Sequence, residues 1–105
     1  MRDYGLSLPV TPGTCTLIEA RWNRWIAFDP LVFLPQKTQH LRRARLIYFD
    51  CGTHDEYNIL YGSRRLSQEL SDAGIDHQFE TFDGGHGAIG RRCEVSIPRM
   101  AKALL

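Results

Sequence analysis

An acid and a histidine occupy matching places in this sequence. Asp55 lies in Gly52-Thr53-His54-Asp55-Glu56-Tyr57-Asn58 and His86 in Phe82-Asp83-Gly84-Gly85-His86-Gly87, each just beyond a run that reads as a β-strand. A carboxylate bonded to one imidazole nitrogen fixes the ring's tautomer and stabilises its protonated form, which leaves the other nitrogen as a general base. The glycines at 84, 85 and 87 suit a tight turn around the histidine. In open α/β sheets chemistry gathers at the carboxyl ends of strands, so the pair requires two neighbouring strands that both deliver their loops to one end. An Asp and a His in separate loops also fit purely structural roles.

The surrounding sequence supplies such strands. Leu46-Ile47-Tyr48-Phe49 is an unbroken apolar run of strand length ended by Asp50-Cys51-Gly52, the pattern of a strand covered on both faces. Ile59, Leu66, Leu70 and Ala73 mark one face of a helix that Gly74 terminates, and His77 to Phe82 reads as a second strand. The predicted fold class is therefore α/β, a βαβ unit with two parallel strands flanked by helices. Upstream, residues 1–15 form an irregular lead-in with prolines at 9 and 12 and at most a short extended piece from Leu6 to Val10. Thr16 and Glu19 have capping-box spacing for a helix whose stripe is Ile18, Trp22, Trp25 and Ile26, with both tryptophans expected in the core. Asp29-Pro30 stops that helix, and Pro35 opens a short surface helix to about Arg43. Ser96 is placed to cap a last helix whose stripe Ile97, Met100, Ala101 and Leu104 returns across the sheet.

Bulk properties narrow the function classes. At 105 residues the chain is read as one small domain, with 16–105 as its α/β region, and 43% hydrophobic with 24% charged residues is an ordinary globular balance. Thirteen basic against twelve acidic residues give a net charge of +1, no field for gripping nucleic acid or a membrane surface. Arg42, Arg43 and Arg45 read as a solvated corner between helix and strand. Cys15, Cys51 and Cys93 are odd in number and lack C-x-x-C spacing, which speaks against a disulfide framework or zinc ribbon and for a reducing, cytoplasmic setting. The N-terminus shows no apolar leader region, and no apolar run reaches the ~18 residues of a membrane span. Two strands do not sustain a sheet alone, so homo-oligomerisation is expected, a dimer joining two half-sheets.

Acid followed by histidine is the second half of the Ser, Asp, His order of α/β-hydrolases. With Trp22 to Pro30 (W-N-R-W-I-A-F-D-P), Tyr48 to Asn58 (Y-F-D-C-G-T-H-D-E-Y-N), Phe79 to Gly87 (F-E-T-F-D-G-G-H-G) and Ser96-Ile97-Pro98, the chain from about Glu19 to Leu105 resembles the C-terminal part of the esterase family related to esterase D and the enterochelin esterases. The resemblance implies a partial α/β-hydrolase fold and hydrolysis of small carboxylic esters, with Asp55 as triad acid, His86 as general base and no cofactor. Glu56, Tyr57 and Asn58 would be loop and helix-start residues.

The departure from that family is large, because neither a G-x-S-x-G nucleophile elbow nor an oxyanion loop is present. Ser7, Ser63, Ser67, Ser71 and Ser96 all sit in structural contexts. The nearest echo of an elbow is Gly13-Thr14-Cys15-Thr16-Leu17, while Cys51 reads as a buried thiol. Zinc binding by His54, Asp55 and His86, with Cys51, is the chemical alternative, though the spacing is not diagnostic and no metal is expected. His40 and His77 read as polar surface residues. From a different class, the chain is a non-catalytic fragment that acts by assembly with a partner chain.

Overall fold

The computed structural model describes residues 5–105, and the chain divides into two compact units, Met1–Pro35 and Gln36–Leu105. Residues 1–4 of the expected lead-in lie outside the described residues.

In the first unit Val10 and Leu17 form one antiparallel bridge, closed by Thr11 N–H to the Thr16 carbonyl at 2.9 Å and Cys15 N–H to the Thr11 carbonyl at 2.9 Å. The lead-in is thus a tight hairpin, and Cys15 takes the left-handed φ of 53° that closes it. Thr16 belongs to this turn, its hydroxyl 2.6 Å from that of Thr14. The capping box does not form, and α1 (Glu19–Ile26) starts after Ile18 without a side-chain cap. Trp22 and Trp25 are 42% and 52% exposed, not core residues; the Trp25 indole N–H instead donates to the Ser7 carbonyl at 3.0 Å. α2 (Pro30–Leu41) opens at Pro30, and Pro35 lies inside it. The reason is local: Pro30 occupies a first-turn position that needs no N–H, and the Asp29 carboxylate accepts the Leu31 N–H at 2.9 Å.

The second unit holds the expected βαβ arrangement. β1 (Tyr48–Gly52) and β2 (Gln78–Phe82) are parallel neighbours, with Tyr48 opposite Gln78 and Gly52 opposite Phe82. α3 (Ile59–Asp72) joins them. Gly74 at φ 64° ends α3 in a Schellman turn, in which Ile75 N–H bonds the Leu70 carbonyl at 2.9 Å and Gly74 N–H that of Ser71 at 2.9 Å. That turn folds Ile75 back beside Leu70, and both are buried with Cys51 and Leu60. Leu60 takes the inward place expected of Ile59, which is 46% exposed.

β1 starts two residues later than the apolar run and absorbs Asp50-Cys51-Gly52. Asp50 tolerates a strand interior because its carboxylate receives the Tyr48 hydroxyl at 2.7 Å and Arg92 Nε at 2.8 Å. Arg92 also bonds Glu80 at 2.7 Å, and Arg99 reaches the other Glu80 oxygen at 2.6 Å. The two guanidinium groups stack over the Phe82 and Tyr48 rings respectively. Arg99 foremost holds the Glu80 carboxyl below its usual range, while burial and then the Asp50 carboxylate push the Tyr48 hydroxyl up.

These arginines come from α4 (Ile89–Leu104), which begins just after a short 3-10 turn, His86–Ala88. The helix starts seven residues before Ser96, which lies within it and caps nothing. Its sheet-facing side carries Arg92 and Arg99, so the stripe expected to pack inward points out: Ile97, Met100 and Leu104 are 56%, 48% and 74% exposed.

Candidate active site

β1 and β2 deliver their following loops to the same end of the sheet. The pairing continues beyond the strands, with Thr53 N–H to the Phe82 carbonyl at 2.9 Å and His54 N–H to the Gly84 carbonyl at 3.0 Å. Gly52 is required there, since a Cβ on it would strike the Gly84 carbonyl oxygen.

On this frame Asp55 and His86 meet as the sequence predicts, Oδ2 to Nδ1 at 2.9 Å. The Asp55 side chain is 2% exposed and the His86 side chain 43%. The second carboxylate oxygen, Oδ1, accepts Tyr57 N–H at 2.9 Å and Ile59 N–H at 3.3 Å, so Asp55 also closes the first turn of α3. Asn58, left-handed at φ 56°, completes the entry to the helix. Burial pushes the Asp55 carboxyl up, but the hydrogen bonds from His86, Ile59 and Tyr57 together outweigh it and hold the group below its usual range. A carboxylate at Nδ1 makes that nitrogen the N–H donor and leaves the lone pair of the neutral ring on Nε2.

Two neighbours do more than serve as loop residues. The Glu56 carboxylate accepts the His86 backbone N–H at 2.8 Å, and that bond foremost lowers the Glu56 pKa. The Tyr57 ring meets the imidazole edge-on, with centroids 5.0 Å apart. Asp55 therefore orients the ring through Nδ1 while Glu56 fixes the backbone that carries it. Nothing in the sequence announces Glu56, because its partner is a main-chain group in another loop.

The remaining chemical groups are placed elsewhere. Cys51 is buried as expected, its thiol 3.6 Å from the Gly52 carbonyl. Ser67 bonds His77 Nε2 at 2.7 Å, and the His77 Nδ1 N–H reaches the Ile75 carbonyl at 3.0 Å. His77 is thus half-buried rather than a plain surface residue. It also precedes β2, at the end of the sheet away from His86. Among the described residues no three His, Cys, Asp or Glu side chains group as a metal site; His54 turns instead to Asp83, Nδ1 to Oδ1 at 3.2 Å. No helix among them is long and apolar enough to cross a membrane.

Neither a protein-family model nor a curated protein matches the chain. The fold and the site define a class by themselves: a small α/β protein carrying a buried carboxylate paired with a half-exposed imidazole at the carboxyl ends of two parallel strands.

Proposed function

We propose that this chain is a serine-esterase-like hydrolase of small carboxylic esters, in which Asp55 and His86 form the acid–base half of the site. The observation that carries the reading is the 2.9 Å contact between His86 Nδ1 and an Asp55 carboxylate whose side chain is 2% exposed. In the neutral ring Nε2 accepts a proton from an attacking water. The oxygen adds to the ester carbonyl, and the tetrahedral species collapses as the imidazolium returns the proton to the departing alkoxide. Acid and alcohol leave, and the histidine is neutral again. Asp55 stabilises the imidazolium during that cycle and Glu56 keeps the ring in place. With neither a nucleophile elbow nor an oxyanion loop in the sequence, the rate should be low and the substrate range broad. The architecture that accompanies this reading is a partial α/β-hydrolase fold. Free Cys15, Cys51 and Cys93 accord with work in a reducing cytoplasm.

The test is turnover of a short-chain p-nitrophenyl ester by the purified chain beside His86→Ala and Asp55→Asn. Loss of hydrolysis in both variants is the expected result. Equal rates in all three proteins would sink the catalytic reading and leave the second one, a fragment whose role is assembly, which the outward apolar stripe of α4 favours.

A further inference from the structure

A serine inside a helix ordinarily turns its hydroxyl to solvent or to the carbonyl one turn back. Ser67, half-buried in the second half of α3, instead places Oγ 2.7 Å from His77 Nε2. The tautomer of that ring is set from its other side, where the Nδ1 N–H donates to the Ile75 carbonyl at 3.0 Å. Nε2 therefore holds the lone pair, and the serine hydroxyl is the donor of the bond they share. The serine oxygen keeps its own lone pairs for another partner.

The base is held on its orienting side. Ile75 is 4% exposed, and its N–H is tied to the Leu70 carbonyl at 2.9 Å in the turn that Gly74 closes. The imidazole stacks on Phe49 with 12° between the planes. With Ile47, Asp76 and Gln78 it borders a cavity of about 320 Å³, at the small end of the range for small-molecule sites. A hydroxyl within hydrogen-bond reach of a base that a third group orients is the arrangement of an activated nucleophile. His77 precedes β2 whereas His86 follows it, so neither Asp55 nor Glu56 takes part.

We propose that Ser67 is a nucleophile activated by His77, and that it takes an acyl group from a small activated ester at a site separate from the Asp55–His86 pair. Oγ adds to the carbonyl carbon as its proton passes to Nε2. The bond to the leaving oxygen then breaks, the imidazolium returns the proton to that oxygen, and the acyl group stays on Ser67. A carbonyl dipole behind Nδ1 stabilises the imidazolium less than a carboxylate does, so only esters with good leaving groups react. The acyl-serine is an ordinary alkyl ester with a poor leaving group. The reaction therefore stops after one event per chain and adds nothing to steady-state hydrolysis.

The experiment treats the whole chain with an alkyl fluorophosphonate, whose phosphorus stands in for the carbonyl carbon. The Oγ–P bond forms, the P–F bond breaks, fluoride leaves, and the serine proton passes through Nε2 to water. Mass mapping of the digested protein locates the adduct. The expected result is one adduct per chain, on Ser67, with Ser63 and Ser71 of the same helix left unlabelled as internal controls. Labelling should vanish in Ser67→Ala, slow by about a hundredfold in His77→Gln, and keep its rate in His86→Ala. That last variant separates this site from the ester-hydrolysis reading, whose success or failure leaves Ser67 labelling unaltered. Glutamine still hydrogen-bonds the serine but takes no proton, and circular dichroism checks that the variant folds. An unlabelled chain overturns the proposal. So does labelling spread equally over Ser63, Ser67 and Ser71, or a Ser67 rate that folded His77→Gln leaves unchanged or that His86→Ala abolishes.

Discussion

Two histidines, one at each end of β2, have the same first partner type and opposite second ones. His86 and His77 both place Nδ1 against an oxygen, the Asp55 carboxylate at 2.9 Å and the Ile75 carbonyl at 3.0 Å. At His77 the other nitrogen is occupied by Ser67 at 2.7 Å, and the ring lies stacked on Phe49 with centroids 6.0 Å apart. At His86 the acceptor is a charge able to stabilise an imidazolium, and the ring edge is half open. Orientation alone does not distinguish the two rings. What separates the two rings is a buried anion behind the first nitrogen of His86 and a serine hydroxyl on the second nitrogen of His77.

The sharpest way to break this contrast is to delete each ring in turn. His86→Ala should lower ester hydrolysis by roughly 10²-fold or to background, the scale of lost general-base assistance, whereas His77→Ala should leave the rate within about twofold. A chromogenic ester assay on both variants decides it, and equal losses would erase the distinction. Asp55→Asn should come next, with a loss of about tenfold or more, because the amide still bonds Nδ1 but no longer stabilises the imidazolium. Glu56→Gln tests positioning. The neutral amide keeps a weaker acceptor for the His86 N–H, so kcat should fall about threefold to tenfold with KM unchanged, and a KM effect alone would point to substrate contact instead.

Smaller effects concern stability. His77→Ala should cost about 1 kcal/mol in urea unfolding through the orphaned Ser67 hydroxyl, and an unchanged midpoint would mean that the pair adds nothing. Acid sensitivity should follow the carboxylates. Asp55, Glu56 and Glu80 all have folded-state values below their usual ones. Their contribution is therefore complete above the unfolded-chain range near about 4 and is lost as pH falls through the lower folded values. Asp55→Asn should flatten the acid limb of a plot of midpoint against pH, and parallel limbs would refute the assignment.

The acid–histidine pair was legible because strand-ending loops can be recognised from local residues, and two neighbouring parallel strands bring their loops together. Elements whose logic is long-range were misread. The apolar run from Leu46 suggested an earlier strand because the partner that lets Asp50 sit inside β1 is Arg92, on a distant helix. α4 hid its first seven residues since its inward side is written in arginine rather than leucine, and Ser96 with Pro98 imitated a helix start. Glu56 stayed invisible because a backbone amide in the other loop carries no side-chain signature. Trp22 and Trp25 had the spacing of a buried stripe, which periodicity alone cannot distinguish from an exposed one.

The bare Cα of Gly52 acts as a spacer gauge between the two loops. Its missing methyl is what lets the Gly84 carbonyl approach, so the separation of Asp55 and His86 is set by a residue with no functional group. One carbon atom added there would wedge the loops apart, lengthening the Asp55–His86 contact while leaving both side chains chemically intact. The length of the Asp55–His86 contact is thus machined into the main chain.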